Sequence, residues 1–290
     1  MPSSSKNESS VLGKSILKRM QHQRSVCQIG VIRALILSTM KDTKYIDLNA
    51  DLGEGMGNDA RLMPYLSSCN IACGGHFGDE ESVRNAIRLA KAQGVKIGAH
   101  PSFPDKINFG RTTIEITPDE LRRSLIEQIG MFLEVAAYES VTVNHIKSHG
   151  ALYNLAAEDK KTAELICSVI NYFEHGLKIY APRDSEMASA AVRSGIKVVY
   201  EAFADRVYND DLSLVSRSKP NALIIEPRKV FEQVKHLAKS VKVITVNGIE
   251  KRLEADTFCL HGDSENAVEI LRYLDRNLKI ENIRIYKSKL

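Results

Sequence analysis

A chain of 290 residues with 43% apolar and 26% charged residues has the composition of an ordinary globular protein, far from disordered or membrane-spanning chains. The net charge of +4 leans on the first forty residues, and there is no Trp, so the body lacks the basic stripe and aromatic platforms of a nucleic-acid binder. Neither nucleic acid nor a membrane is an expected partner.

Residues 1–43 are rich in Ser and basic side chains and are expected to be a disordered extension or the product of an upstream start, with Met40 close before the first strand. Their one apolar run, Val31 to Leu37, is interrupted by Arg33 and is shorter than the roughly 20 residues a spanning helix needs. A secretory signal fits this segment poorly, whereas a transit peptide is compatible with its charge. Cysteines at 27, 69, 73, 167 and 259 show no framework spacing, which predicts free thiols in a reducing, cytoplasmic compartment.

From residue 44 onward, short apolar runs alternate with helical patterns, the signature of βα units on a parallel sheet. The predicted strands are Tyr45 to Asp51, Ser68 to Cys73, Val95 to His100, Val141 to Lys147, Lys178 to Ala181, Lys197 to Phe203 and Asp256 to His261. Helical periodicity falls on Glu80 to Gln93, Thr117 to Tyr138, Lys160 to Glu174, Asp184 to Arg193, Pro227 to Lys239 and Ser264 to Asn277. Thr117, Pro118 and Glu120 form a helix start, and Leu121, Leu125, Ile129 and Phe132 form its core stripe. Val243 to Leu253 reads as a hairpin turning at Asn247 and Gly248 with a type I′ turn. The expectation is an α/β protein, with residues 44–290 forming one β/α-barrel catalytic domain.

Strands of such a barrel are covered on both faces and should be uniformly apolar. Several are not. Asp47, Asn49 and Asp51 share one face of the first strand, and His145, Lys147 and His149 share one face of the fourth. The second strand leads into Asn70, Cys73 and His76, the third ends at His100, the sixth carries Glu201 before Asp205 and Arg206, and the seventh ends at His261 and Asp263. These positions gather at carboxyl ends, where barrel active sites lie. Buried Lys147 requires an acidic partner, Asp47 or Asp51, and His22, His175 and His236 read as surface residues. Gly53, Glu54, Gly55, Met56 and Gly57 form a turn without the P-loop lysine or the dinucleotide spacing. Asp51, His76 and His149 are the first candidate trio for a divalent metal such as zinc.

The strings DLNADLGEG (47–55), NIACGGHFGD (70–79), GAHPSFPD (98–105) with FGR (109–111), HIKSHGALYN (145–154), EAFADRVY (201–208) and CLHGD (259–263) resemble the successive blocks of the LamB/YcsF family. That resemblance implies a seven-stranded, irregular, TIM-like β/α barrel related to the glycoside hydrolase/deacetylase superfamily. It further implies one component of a three-part 5-oxoprolinase, with subunits B and C as partners, converting 5-oxo-L-proline to L-glutamate with ATP, and Mg accompanying the ATP. Gly75, Asn108, Thr112, Ser148 and Asp211 depart from the family pattern, which usually has Phe, Gly, Arg, Pro and Gly there. On this reading Asp51, His76, Lys147 and His149 are catalytic. Asp47, Asn49, Glu54, Asn70, His100, Arg111, Glu201, Arg206 and His261 bind the small-molecule substrate, with Lys147 and Arg206 or Arg111 as anion clamps. The rival expectations are a stand-alone metal-dependent amidohydrolase or deacetylase acting on a carbohydrate, and a non-catalytic scaffold.

Overall fold

The computed structural model describes residues 43–173, 176–264 and 266–287. The expected extension, Cys27, His22 and His175 fall outside those residues. Six strands run β1 (Lys44–Leu52), β2 (Ser68–Ala72), β3 (Lys96–His100), β4 (Val143–Ile146), β5 (Lys178–Ala181) and β6 (Val198–Phe203). A hairpin of β7 (Lys242–Ile244) and β8 (Glu250–Arg252) precedes β9 (Thr257–His261). Each of the first five pairs in parallel with the strand after it, and β9 pairs in parallel with both β6 and β1, closing a seven-stranded barrel. A short β10 (Ile283–Ile285) joins β1 from outside the ring, where Tyr286 N donates to Ile46 O at 2.7 Å.

The helices are α1 (Asp59–Leu62), α2 (Glu80–Gln93), α3 (Pro118–Tyr138), α4 (Gly150–Glu158), α5 (Lys160–Tyr172), α6 (Glu186–Arg193), α7 (Pro227–Ser240) and α8 (Ala267–Ile280). The start of α3 is the one its sequence dictates. Thr117 accepts from Glu120 N, and the Glu120 carboxylate accepts from Thr117 N, so two otherwise unpaired amides are satisfied. Leu121, Leu125, Ile129 and Phe132 are all buried against the barrel.

Side-chain alternation divides the barrel into two chemistries. Asn49 and Asp51 bond to residues across the ring, so their side chains point inward. Leu48, Ala50 and Leu52 therefore face the helices, and all three are buried in the apolar core. The core thus lies between strands and helices, and the upper interior is polar.

The hairpin forms, but its turn differs from the expected type I′. Thr245 N donates to Ile249 O at 3.0 Å and Gly248 N to Thr245 O at 2.9 Å, and Gly248, not Asn247, is left-handed. This is a three-residue loop in which Gly248 alone supplies the positive φ. The cause lies outside the hairpin: Val246 N donates to Tyr208 O at 2.8 Å, which holds Val246 in the loop instead of the ladder.

Gly98 on β3 opens room inside the ring. A Cβ there would stand 2.3 Å from Nε2 of His145, whose ring stacks on Tyr180 and bonds Asn70. We expect Gly98→Ala to lower stability by about 1–3 kcal/mol through overpacking, read from the urea midpoint.

Candidate active site

At the carboxyl ends of the strands the barrel is filled by charge. Lys147, one residue past β4, is buried, with Nζ 2.9 Å from Asp51 Oδ1, 3.1 Å from Glu201 Oε1 and 3.0 Å from Cys259 Sγ. Burial opposes the ammonium, but Asp51, Cys259 and Glu201 outweigh it and hold Lys147 well above its ordinary pKa. Burial likewise pulls Asp51 upward, and His100 and Lys147 more than reverse it, leaving Asp51 well below the usual carboxylate range. Lys147 and Asp51 therefore form an ion pair at neutral pH.

The neutral groups around this pair are placed to satisfy it. Asn70 Nδ2 donates to Asp51 Oδ1 and Asn49 Oδ1, both at 2.8 Å. Asn49 Nδ2 donates to Glu201 Oε1 at 3.0 Å and Thr257 Oγ1 at 2.8 Å, and the Tyr153 hydroxyl donates to Glu201 Oε2 at 2.8 Å. Below them, His145 Nε2 lies 2.7 Å from Asn70 Oδ1.

Beside the ion pair stands an imidazole cluster. The His76 and His149 rings stack with centroids 3.7 Å apart, and His100 meets each edge-on. Glu54 Oε1 is 3.0 Å from His76 Nε2 and 3.3 Å from His149 Nδ1. Burial pushes His76 down to about 3 and His149 well below its ordinary value. It also raises Glu54 well above the carboxylate range, helped by Asp51 and Asp263. The Glu54–His76 contact therefore joins two neutral groups.

Asn49, Asp51, Glu54, Asn70, His76, His100, Lys147, His149 and Glu201 thus lie in one connected network. His261 borders this network, with a ring nitrogen within 4.8 Å of Asp51 and Cys259, and the other expected site residues have separate partners. Asp205 accepts from His261 N at 2.8 Å and lies 3.0 Å from its Nδ1, and the His261 ring stacks on Phe203. Arg111 lies at the rim, paired with Asp263 and set over the Phe109 ring. Arg206 is committed differently from an anion clamp: its Nη2 donates to Val215 O at 2.8 Å and braces the segment after β6. Asp47 is at the opposite end of the barrel. It registers with Thr257 where Asp51 registers with His261, four residues or about 13 Å along the strand. There it accepts from Ser68 and Thr257, pairs with Lys96, and lines a cavity of about 310 Å³ with Lys178 and Tyr180. The acidic partners of Lys147 are thus Asp51 and Glu201, not Asp47.

The expected metal trio is also rearranged. Asp51 groups with His100 and His149, whereas His76 groups with Glu54 and His149, so the trio divides into two sets sharing His149. Cys259 and Tyr153 were missed. Alternation along β9 signals Cys259, because it shares a face with Thr257 and His261. Tyr153 lies on α4, a helix with no separate periodic signal. The cavity at the amino ends and a groove of about 860 Å³ beside β7 lie away from this network, which is singled out by its chemistry and not by its volume.

The model of the LamB/YcsF family matches residues 46–289. The A subunit of 5-oxoprolinase from Histophilus somni is 41% identical over 245 residues, covering 84% of this chain and 99% of that protein. The corresponding A subunit from Pyrococcus horikoshii is 38% identical over 249 residues, covering 84% and 98%. The crystal structure of a lactam utilization protein from Thermus thermophilus superposes with a TM-score of 0.78 at 34% identity, covering 84% of this chain and all of that one.

Two outcomes follow from the charges. Lys147→Met leaves Asp51 and Glu201 buried without their cation and should cost about 3–5 kcal/mol in urea unfolding. Burial raises the Asp205 pKa, but His261 outweighs it and holds the group below its ordinary 3.8. A depressed folded pKa stabilises above the unfolded value and is lost as pH falls through the folded one. The stability gap between wild type and Asp205→Asn should shrink as pH falls below about pH 4, measured by denaturation at each pH.

Proposed function

The chain belongs to the LamB/YcsF family, and from that membership we propose that it is the lactam-opening component of an ATP-dependent 5-oxoprolinase. In this reading it acts with subunits B and C to convert 5-oxo-L-proline to L-glutamate, in the cytoplasm, with residues 44–290 as the catalytic unit. The observation that carries the reading is the buried Lys147 cation between Asp51 and Glu201, flanked by neutral imidazoles, in a chain about 40% identical to proteins named as the A subunit of 5-oxoprolinase. That those relatives are named as one subunit among several supports partner chains, and the free Cys69, Cys73, Cys167 and Cys259 support a reducing compartment. Among the described residues no helix is long and apolar enough to cross a membrane.

A lactam resists water because amide resonance must be broken before addition. Transfer of the ATP γ-phosphoryl group to the lactam oxygen gives an activated imidate and ADP. Water adds to the ring carbon, the carbon–nitrogen bond breaks with nitrogen leaving as the amine, and a second water releases phosphate from the resulting acyl phosphate. Lys147 stabilises negative charge at the reacting oxygen, and neutral His76, whose Nδ1 has no hydrogen-bond partner, accepts the proton of the attacking water. Arg111 at the rim is placed for the substrate carboxylate. Mg accompanies the ATP.

Asp51→Asn, His149→Asn and His76→Asn, checked for folding by circular dichroism, should each lower ATP-dependent glutamate formation with the partner subunits by about 100-fold or more. Three folded variants with full activity would remove this site from the reaction. Hydrolysis by the isolated chain without ATP would favour the metal-dependent amidohydrolase reading instead.

A further inference from the structure

The hydrogen bonds around His100 and His149 determine where their protons are. A carbonyl oxygen only accepts, so His149 Nε2, 2.9 Å from Phe109 O, carries a hydrogen, and so does His100 Nδ1, 2.7 Å from Lys147 O. The opposite nitrogens, His149 Nδ1 and His100 Nε2, are turned toward the carboxylates of Glu54 and Asp51. These two nitrogens face one another at 3.0 Å. Asp51 Oδ2 lies 3.4 Å from the same His100 nitrogen, and Glu54 Oε1 lies 3.3 Å from the same His149 nitrogen. Ligand atoms of Asp51, His100 and His149 therefore converge, all within 4.8 Å of one another. A cation seated among them would be held by two imidazole nitrogens and a carboxylate oxygen.

The spacing identifies that charge. Bonds of about 2.0–2.2 Å from an ion to nitrogen or oxygen place neighbouring donors roughly 3.0–3.5 Å apart, which covers every separation given above. Each histidine also donates its remote N–H to a backbone carbonyl, the outer bond that fixes the tautomer of a metal-binding imidazole. One of those carbonyls belongs to Phe109, a bulky residue held at φ +55°, a conformation that costs energy and here aims the oxygen at His149. Imidazole donors mixed with carboxylates suit zinc and its transition-metal neighbours better than magnesium.

The geometry points to Asp51, His100 and His149 as the seat of one divalent transition-metal ion, zinc in the first instance. The Glu54 and His76 pair is the weaker alternative, because His76 Nδ1 has no hydrogen-bond partner and so lacks the outer bond that fixes a metal-binding imidazole. The proposal concerns ion binding alone, and it holds or fails independently of the substrate and of ATP.

The test uses the full chain, stripped with a chelator, loaded with zinc and passed through a desalting column. Metal per chain is read by mass spectrometry, and affinity by competition with a chromophoric chelator. We expect one zinc per chain and a higher melting temperature in the loaded protein. Affinity should fall by about 100-fold or more in His100→Ala and His149→Ala, by less than about tenfold in His76→Ala, and not at all in His236→Ala. Should His149→Ala fail to fold, His100→Gln and His100→Ala decide the matter. A wild-type chain that retains no zinc would overturn the proposal and leave a shared proton between His100 and His149. Zinc binding that survives in the His100 variants, or that is lost more completely in His76→Ala than in His100→Ala, would overturn it as well.

Discussion

One buried ammonium organises the interior of this barrel. An isolated lysine in a protein core would lose its proton before it accepted such burial, so Lys147 must be matched by carboxylates held at fixed positions. Asp51 from β1 and Glu201 from β6 supply them, and each carboxylate is oriented by donors from other strands: Asn70 from β2 for Asp51, and Asn49 from β1 for Glu201. The upper barrel is thereby a set of mutually dependent polar contacts in place of the branched aliphatic layers usual in such folds. Replacing any one member leaves another buried and unpaired.

The same arrangement accounts for what was legible beforehand. Alternation along β1 and past β4 placed Asn49, Asp51 and Lys147 on inward faces, and the charge rule required an acidic partner for the lysine. Alternation does not say how far up a strand a residue stands relative to its neighbours, so Asp47 and Asp51 looked equivalent. Only the register with β9 separates them, one at each end of the barrel. Arg206 and the hairpin turn were misjudged for a related reason. Both answer to distant backbone, Val215 O for the guanidinium and Tyr208 O for Val246, and local spacing contains no trace of either. Tyr153 was missed because the α4 helix is short and follows directly on the His149 turn.

The glycine at position 75 is required by its neighbours. A Cβ at that position would lie 2.4 Å from both Gln128 Oε1 and Ser102 Oγ. Gln128 is buried on α3 and clasps Ser102 at both ends, accepting from its N and donating to its O at 3.0 Å each. The space beside Gly75 is thus taken by a polar side chain reaching in from the helix. That clasp holds the segment that follows His100 in the imidazole cluster.

Closure of the ring through β9 has a consequence for how the protein is made. Thr257 meets Asp47 across a separation of 210 residues, and the thiol that Lys147 contacts also comes from β9. A chain emerging from the ribosome therefore carries six strands before the last one is available, with an open edge on β1 and the ammonium only partly matched. Contacts of such long range are late and slow to form. The unfinished sheet is the form most exposed to aggregation or chaperone capture during synthesis.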